Sequence, residues 1–411
     1  MTKKLNNPFV TKTIDIPDAY FCDRKEETAL LIKKIENGSN IVLKAPRRIG
    51  KSSLIRHLFC QKQVSSKYNT LYVDIYGTRS MKGFIDEFQS AFLDAPFAKT
   101  EAGKRKVVEF FKSLLVNANM DQSGNLVGFS FGVNQPQNVS ITLKEMFAFL
   151  EKTSKPNIVA FDEFQQINEY PENAAAIIRT FVQKMNNTYF IFSGSSRHLL
   201  DKMFEYPNEP FYRSAASMTL GPISLESYAE FCREMFGLYN KDIDSEAIEF
   251  VYHLLSANTY DMQEVMKETF PEIATGNKAG IEDIKASINR LLDSRDEEFR
   301  GILNKVENDK NRRVLFCILR EGQASGLTSG KMLKQYNLDN ASSVQNALKV
   351  LMGDNLNVIM RVGGNYYQAR DRFFELWWAR REGDLEKKFS LARERYQKES
   401  LFGQRSGVFS L

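Results

Sequence analysis

The stretch Ile41-Val-Leu-Lys-Ala45-Pro46-Arg47-Arg48-Ile49-Gly50-Lys51-Ser52-Ser53-Leu-Ile constrains this 411-residue chain more than any other. A short apolar run of strand type leads into a loop of pattern Ala45-x-x-x-x-Gly50-Lys51-Ser52, and a helical pattern leaves it. A strand–loop–helix of this kind cradles phosphate, because backbone N–H groups and the positive end of the helix face the anion. Residues 45–53 are therefore the expected nucleotide contacts. Lys51 is expected to reach the β and γ phosphates. The Ser52 hydroxyl is expected to ligate Mg²⁺, which prefers oxygen and keeps several waters. The loop departs from the usual pattern at its first position, where Ala45 replaces glycine. The tight turn is strained rather than forbidden there if φ stays negative.

Further apolar runs rich in strand formers lie at Leu71–Tyr76, Ile158–Phe161, Tyr189–Phe192 and Met218–Leu220, with helical patterns between them. Short strands of buried type alternating with helices predict an α/β fold: a parallel sheet covered on both faces. Residues about 95–140 interrupt the rhythm and read as an inserted helix and exposed hairpin, the latter alternating over Asn125–Asn134. It is either a partner-contacting surface or a decorated loop. Past Gly221-Pro222 the strands stop, and Ser224 can cap a helix. The expected division is an N-terminal arm at 1–19, a nucleotide-binding domain at 20–222, a helical lid at 223–305, a third module at 306–385 and a tail at 386–411.

A second element strengthens the nucleotide reading. Ile158-Val-Ala-Phe-Asp162-Glu163 is an apolar strand that ends in paired acids. Asp162 is expected to hold Mg²⁺ through water, and Glu163 to polarise the attacking water as general base. The next strand ends in Ser193-Gly194-Ser195-Ser196, where Ser193 or Ser195 could sense the γ phosphate. Arg213, just before the fifth strand, could reach a nucleotide in cis, or across a subunit interface as an arginine finger.

Composition excludes competing chemistries. Four cysteines lie far apart at 22, 60, 232 and 317, which leaves no Cys-x-x-Cys site and suggests free thiols in a reducing, cytoplasmic setting. The three histidines (His57, His198, His253) have no metal-binding spacing. No apolar run approaches a membrane span, and the first residues lack the apolar core of a secretory signal.

Taken together, Phe21-Cys-Asp-Arg24-x-x-Glu27, Ala45-Pro-Arg-Arg-Ile-Gly-Lys-Ser-Ser-Leu, Phe161-Asp-Glu-Phe-Gln, Phe192-Ser-Gly-Ser-Ser and Phe211-Tyr-Arg213 resemble the archaeal-type ATPase family of the AAA+/STAND group of P-loop NTPases. The resemblance spans about residues 20–385. It implies a five-stranded sheet of order 5-1-4-3-2, a helical lid, a C-terminal winged helix, ATP with Mg²⁺ as cofactors, and Arg24 near the adenine. On this reading Ser342–Leu351 is the recognition-type helix, Val358–Tyr367 the wing, and Ala369-Arg-Asp-Arg-Phe-Phe-Glu-Leu-Trp-Trp the closing helix. The family's Gly-x-Pro lid motif is replaced by Asn258-Thr-Tyr-Asp-Met-Gln263, so no sensor is assigned there.

Residues 309–382 hold twelve basic and seven acidic residues, an excess equal to the +5 of the whole chain. A basic helix-turn-helix module is the footprint of backbone-driven DNA binding. Two functions are therefore expected to compete. One is an ATP-hydrolysing enzyme coupled to duplex DNA through 309–382. The other is a signalling switch whose lid and winged helix contact protein. ATP and ADP are partners in both, and a trans role for Arg213 would add a second copy of the chain. No membrane partner is expected.

Overall fold

The computed structural model describes residues 5–113, 116–120, 126–131, 136–353 and 355–394, with backbone only over 111–140. Two compact units divide the chain: Lys12–Ile223, and a second one formed by 224 onward together with the residues before Lys12.

In the first unit five strands form one parallel sheet: β1 (Ile41–Lys44), β2 (Asn69–Asp74), β3 (Asn157–Asp162), β4 (Thr188–Gly194) and β5 (Ala216–Thr219). Their order is β2-β3-β4-β1-β5, the expected 5-1-4-3-2 read from the other edge. Alternation explains why both faces are buried, since successive side chains on a strand point to opposite faces. Val42, Val159, Phe161, Phe190 and Phe192 enter one core with Phe84 and Phe88 of the helix Met81–Asp94. Ile41, Leu43, Ile158, Ala160 and Ile191 enter the other with Leu54, Ile55 and Leu58 of the helix Lys51–Cys60. All these side chains are essentially inaccessible to water, so continuous apolar strands rather than half-polar ones are what this sheet requires.

The insertion runs between β2 and β3. A helix Glu101–Ser113 precedes strands Val116–Met120 and Leu126–Phe131, which pair antiparallel, and a helix Pro136–Glu151 returns to the sheet. The expected hairpin is thus present. Its tip at 121–125, the Gly132–Asn134 end and the exposure of its side chains lie outside the described residues.

In the second unit, Ser224 accepts a hydrogen bond from Ser227 N at 3.1 Å and caps the helix Leu225–Gly237. Helices Ser245–Leu254, Thr259–Thr269, Ile281–Ser294 and Asp296–Lys305 follow. Asn258 of the departed lid motif is a helix cap here, accepting from Asp261 N at 3.2 Å. The expected arm is divided between the two units. Phe9 is buried against Phe231, Phe236 and Phe270 of the helical unit, while Asp18–Tyr20 forms a 3-10 turn in the sheet unit.

The C-terminal module shows the winged-helix order. Helices Asp309–Glu321, Gly330–Gln335 and Ala341–Met352 are joined by a three-stranded antiparallel sheet of Gln323–Ser325, Tyr366–Ala369 and Ile359–Gly363, in that spatial order. The closing helix Arg372–Arg381 buries Phe373, Phe374, Leu376 and Trp377. Its Trp377 Nε1 donates to Asp296 at 2.7 Å, so the aromatic run is packing within this unit. After a turn at 382–384 a further helix runs over 385–394, with Phe389 buried against Phe250. The rest of the tail lies outside the described residues.

Candidate nucleotide site

The register of the sheet assembles the site. Lys44, the last residue of β1, is level with Gly194 of β4, and Asp74 of β2 is level with Asp162 of β3. The loop after β1, the two acids and the serines after β4 therefore emerge side by side at the carboxyl edge, where open α/β sheets place ligands.

The loop uses left-handed backbone at Arg48 (φ 67°) and Gly50 (φ 92°), while Ala45 keeps a negative φ. The missing glycine at position 45 is therefore tolerated. Ala45 N donates to Gly194 O at 3.3 Å, fastening the loop to β4. Gly50 caps the helix that starts at Lys51. Pro46, Arg47 and Arg48 are exposed and Ile49 is buried, so the loop is anchored by its apolar residue. Ser53 is half-buried on the helix behind it.

Asp162 is the hub. Its carboxylate receives the Lys51 ammonium, the hydroxyls of Ser52 (2.5 Å), Ser193 (2.6 Å) and Tyr72, and the Glu163 amide (2.9 Å). Burial alone would raise its pKa. The Lys51 charge and the hydroxyl donors outweigh that and hold it well below the usual carboxylate range. The same carboxylate, together with burial, pushes the Tyr72 phenol up, so Tyr72 remains a donor. Asp74 at the neighbouring strand end is raised by burial and by Asp162 and Glu163.

Glu163 has φ 55° and lies in the left-handed region. In an extended strand adjacent acids would point to opposite faces. The left-handed residue turns the chain so that both reach one ammonium, with Glu163 Oε1 3.3 Å from Lys51 Nζ. Such strain, about 1–2 kcal/mol for a residue with a Cβ, persists where the surroundings hold it. Here the next residue, Phe164, is fully buried among Phe192, Phe204 and Phe211. Ser195 Oγ donates to Glu163 Oε2 at 2.7 Å, and Arg47 Nε donates to Ser195 Oγ at 3.4 Å.

Lys51, Ser52, Asp162, Glu163, Ser193 and Ser195 are thus brought together. The two serines divide, Ser193 bonding Asp162 and Ser195 bonding Glu163. Arg24, which the resemblance places near the adenine, fastens protein segments together. It is buried, and its guanidinium donates to Ile49 O (3.2 Å), Gly221 O (2.8 Å) and Glu27 (2.6 Å). Arg213 is not joined to the cluster by any hydrogen bond or ion pair among the described residues. It is exposed, with φ 53° and its guanidinium over the Tyr212 ring at 5.0 Å.

Three further residues were not singled out by sequence reasoning. Tyr72 and Gln165 touch the acids, the latter donating to Glu163 at 2.6 Å. Lys44 is buried beside the loop and paired with Asp201 (2.5 Å) and Glu205. A polar residue inside an apolar strand run was the available signal for Tyr72 and Lys44. Among the described residues no three His, Cys, Asp or Glu form a metal cluster. Ser52 Oγ and Asp162 Oδ2, 2.5 Å apart, are nonetheless hard oxygen donors that fit Mg²⁺, which is usually held by one or two protein oxygens besides phosphate and water.

Residues 21–265 match the family described as the ATPase domain found predominantly in Archaea, and residues 297–380 match a probable winged helix domain. The chain belongs to this ATPase family. An uncharacterized ATP-binding protein of Methanocaldococcus jannaschii is 22% identical over 72% of this chain and 86% of its own length. A second ATP-binding protein of that organism, also uncharacterized, is 20% identical over 71% and 82%. The Walker-type ATPase of Pyrococcus abyssi shares the fold, with TM-score 0.60 and 19% identity over 90% of this chain and 99% of that one. The ORC2 protein of Aeropyrum pernix, in its ADPNP–ADP complexes, does so with TM-score 0.57 and 12% identity over 95% and 98%. This ATPase-family chain thus has the P-loop NTPase sheet and the C-terminal winged helix together. None of its helices, among the described residues, is long and apolar enough to cross a membrane.

Proposed function

We propose that this ATPase-family protein binds ATP with Mg²⁺ and hydrolyses it, and that its winged helix carries the output to duplex DNA. One observation carries the first part. A lysine, a hydroxyl and two adjacent carboxylates converge at the mouth of a phosphate-type loop, with Lys51 against Asp162 and 3.3 Å from Glu163. Phosphoryl transfer asks mainly for positioning and charge stabilisation, which this set supplies.

The backbone amides of 47–53 bind the phosphates, since Ala45 N is bonded to Gly194 O and Pro46 has no N–H, and the Lys51 ammonium shifts from Asp162 to the β and γ phosphate oxygens. Ser52 and Asp162 would hold Mg²⁺, which would neutralise charge on those oxygens. Glu163 takes the proton of the attacking water. Ser193 keeps Asp162 oriented, and Ser195 keeps Glu163 oriented. Arg213, exposed just before β5, acts on nucleotide in cis or from a second copy of the chain.

The test is ATP turnover by the wild type, Lys51→Ala and Glu163→Gln, each with and without duplex DNA. Glu163→Gln is expected to bind ATP and turn it over about 100-fold or more slowly, the usual scale of a general base. Turnover at the wild-type rate would remove Glu163 from that role, and a wild type without turnover would sink the hydrolytic reading.

DNA contact rests on a narrower basis than the raw charge suggests. Lys310 and Arg313 are paired with Asp339 (2.8 and 2.9 Å), Arg372 with Glu375, and Arg380 with Asp293 (2.8 Å). Arg361 bonds Gly364 O and Asn365 and so holds the wing turn. Besides Arg361, the module's exposed cations left without an ion pair among the described residues are Lys331, Lys334, Lys349 and Arg381. Affinity that falls steeply with salt, and a slope reduced by about one unit per lysine removed, is the expected signature. The exposed face of Ala341–Met352 (Ser342, Gln345, Asn346, Lys349, Val350) carries a single charge, and that favours a second reading in which the winged helix contacts protein. DNA-independent turnover with no salt-sensitive DNA binding would select it.

A further inference from the structure

Glu163 is held asymmetrically. Oε1 faces Lys51, while Oε2 accepts from Ser195 Oγ (2.7 Å), Ser195 N (3.3 Å) and Gln165 Nε2 (2.6 Å). Gln165 is almost fully buried, and its Oε1 has no hydrogen-bond donor. A buried amide oxygen left without a donor is destabilising, so the N–H side is the part that accounts for its presence. A second observation points to the same amide. Gly194, the last residue of β4, does not have a positive φ, so its backbone does not require glycine. A Cβ there would come within 1.9 Å of Gln165 Oε1 and 3.1 Å of its Cδ. The glycine makes room for the glutamine.

We propose that Gln165 is a positioning residue for Glu163. Its amide, seated over Gly194, fixes Oε2 together with Ser195 and keeps Oε1 on the Lys51 side, where a base must stand to serve the γ phosphate. The seat is rigid, because Phe164 anchors the turn from which Gln165 projects. The inference rests on the hydrolytic reading above.

The experiment compares the wild-type full chain with Gln165→Met, Gln165→Ala, Gly194→Ala and the double variant Gly194→Ala/Gln165→Ala. Measured quantities are kcat and KM for ATP with Mg²⁺, the dissociation constant of a non-hydrolysable ATP analogue, and the melting midpoint. Gln165→Met keeps the volume and removes the donor. It is expected to lower kcat about 10- to 100-fold, the scale of a misplaced catalytic group, with analogue affinity within about two-fold. Gly194→Ala should lower kcat similarly when Gln165 is present and add less than about two-fold once Gln165 is alanine, because coupling vanishes when one partner is gone. Unchanged kcat in Gln165→Met, or an equal Gly194→Ala effect in both backgrounds, overturns the role of Gln165 while the hydrolytic reading stands. Absence of turnover in the wild type overturns that reading itself and this inference with it.

Discussion

Replacing Arg24 separates two roles that a single buried arginine could play. Its guanidinium ties the loop at Ile49 O, in a buried bond, and the segment after β5 at Gly221 O, in a part-buried one. A hydrogen bond to a charged group contributes about 1.5–3 kcal/mol, and the longer of these two belongs at the low end, so together they contribute about 3 kcal/mol. The pair with Glu27, which is partly exposed, is discounted for solvent screening. Arg24 itself has φ 67°. Arg24→Ala keeps that strain and is expected to cost about 3 kcal/mol, whereas Arg24→Gly relieves about 1 kcal/mol of it. In a unit of about 200 residues the alanine variant should melt about 6–12 °C lower, at roughly 2–4 °C per kcal/mol. Arg24→Lys cannot span two carbonyls with one compact ammonium and should fall between. Calorimetry gives the midpoints, and competition of ATP and of GTP against a fluorescent nucleotide gives the affinities. A clamp on the loop weakens both nucleotides alike. An unchanged midpoint with a loss confined to ATP would refute the clamp and restore the adenine contact.

Other predictions concern the same cluster. Gly50→Ala meets no atom within 4 Å, so its cost is backbone strain alone, about 1–2 kcal/mol, read as a lower urea midpoint; a neutral result would show that the loop relaxes to a negative φ there. Asp162 has a folded pKa below its unfolded value of about 3.9. Its contribution to stability is therefore complete above about pH 4 and is lost as pH falls further. Asp162→Asn should flatten the acid limb of a urea-midpoint profile below about pH 4, and an unaltered limb would count against the Lys51 pairing. His57 is held below its ordinary pKa by burial, against the pull of Asp18, so protonation favours the unfolded chain. Stability should fall as pH drops through about 6.5, and His57→Gln should remove that step from the same profile.

Much of the fold was legible because it depends on local pattern. Short apolar runs placed all five strands to within about two residues, and Gly221-Pro222 and Ser224 marked ends that the structure keeps. The paired acids were legible for the same reason, as polar residues that end an apolar strand. Which serine meets which acid was not, because Ser193 and Ser195 differ only in how β4 leaves the sheet beside β3. The Arg24 clamp joins residues 25 and 197 positions apart, and nothing local marks Gly221 O as a partner. Lys44, the last residue of β1, finds its counter-charges in Asp201 and Glu205 of the helix Arg197–Glu205, more than 150 positions away, and nothing local marks them as partners.

The sequence by itself determined the inventory of chemistry and its place on the chain: a phosphate loop opening a helix, two acids closing a strand, serines closing the next, and a basic C-terminal module. Those features need only neighbours along the backbone. The tertiary structure decided how the inventory is shared, with Asp162 as the hub for Lys51, Ser52, Tyr72 and Ser193, and Glu163 held by Ser195 and Gln165 over a glycine. That sharing depends on strand register and on the left-handed turn at Glu163, which only the packed aromatic core around Phe164 makes affordable.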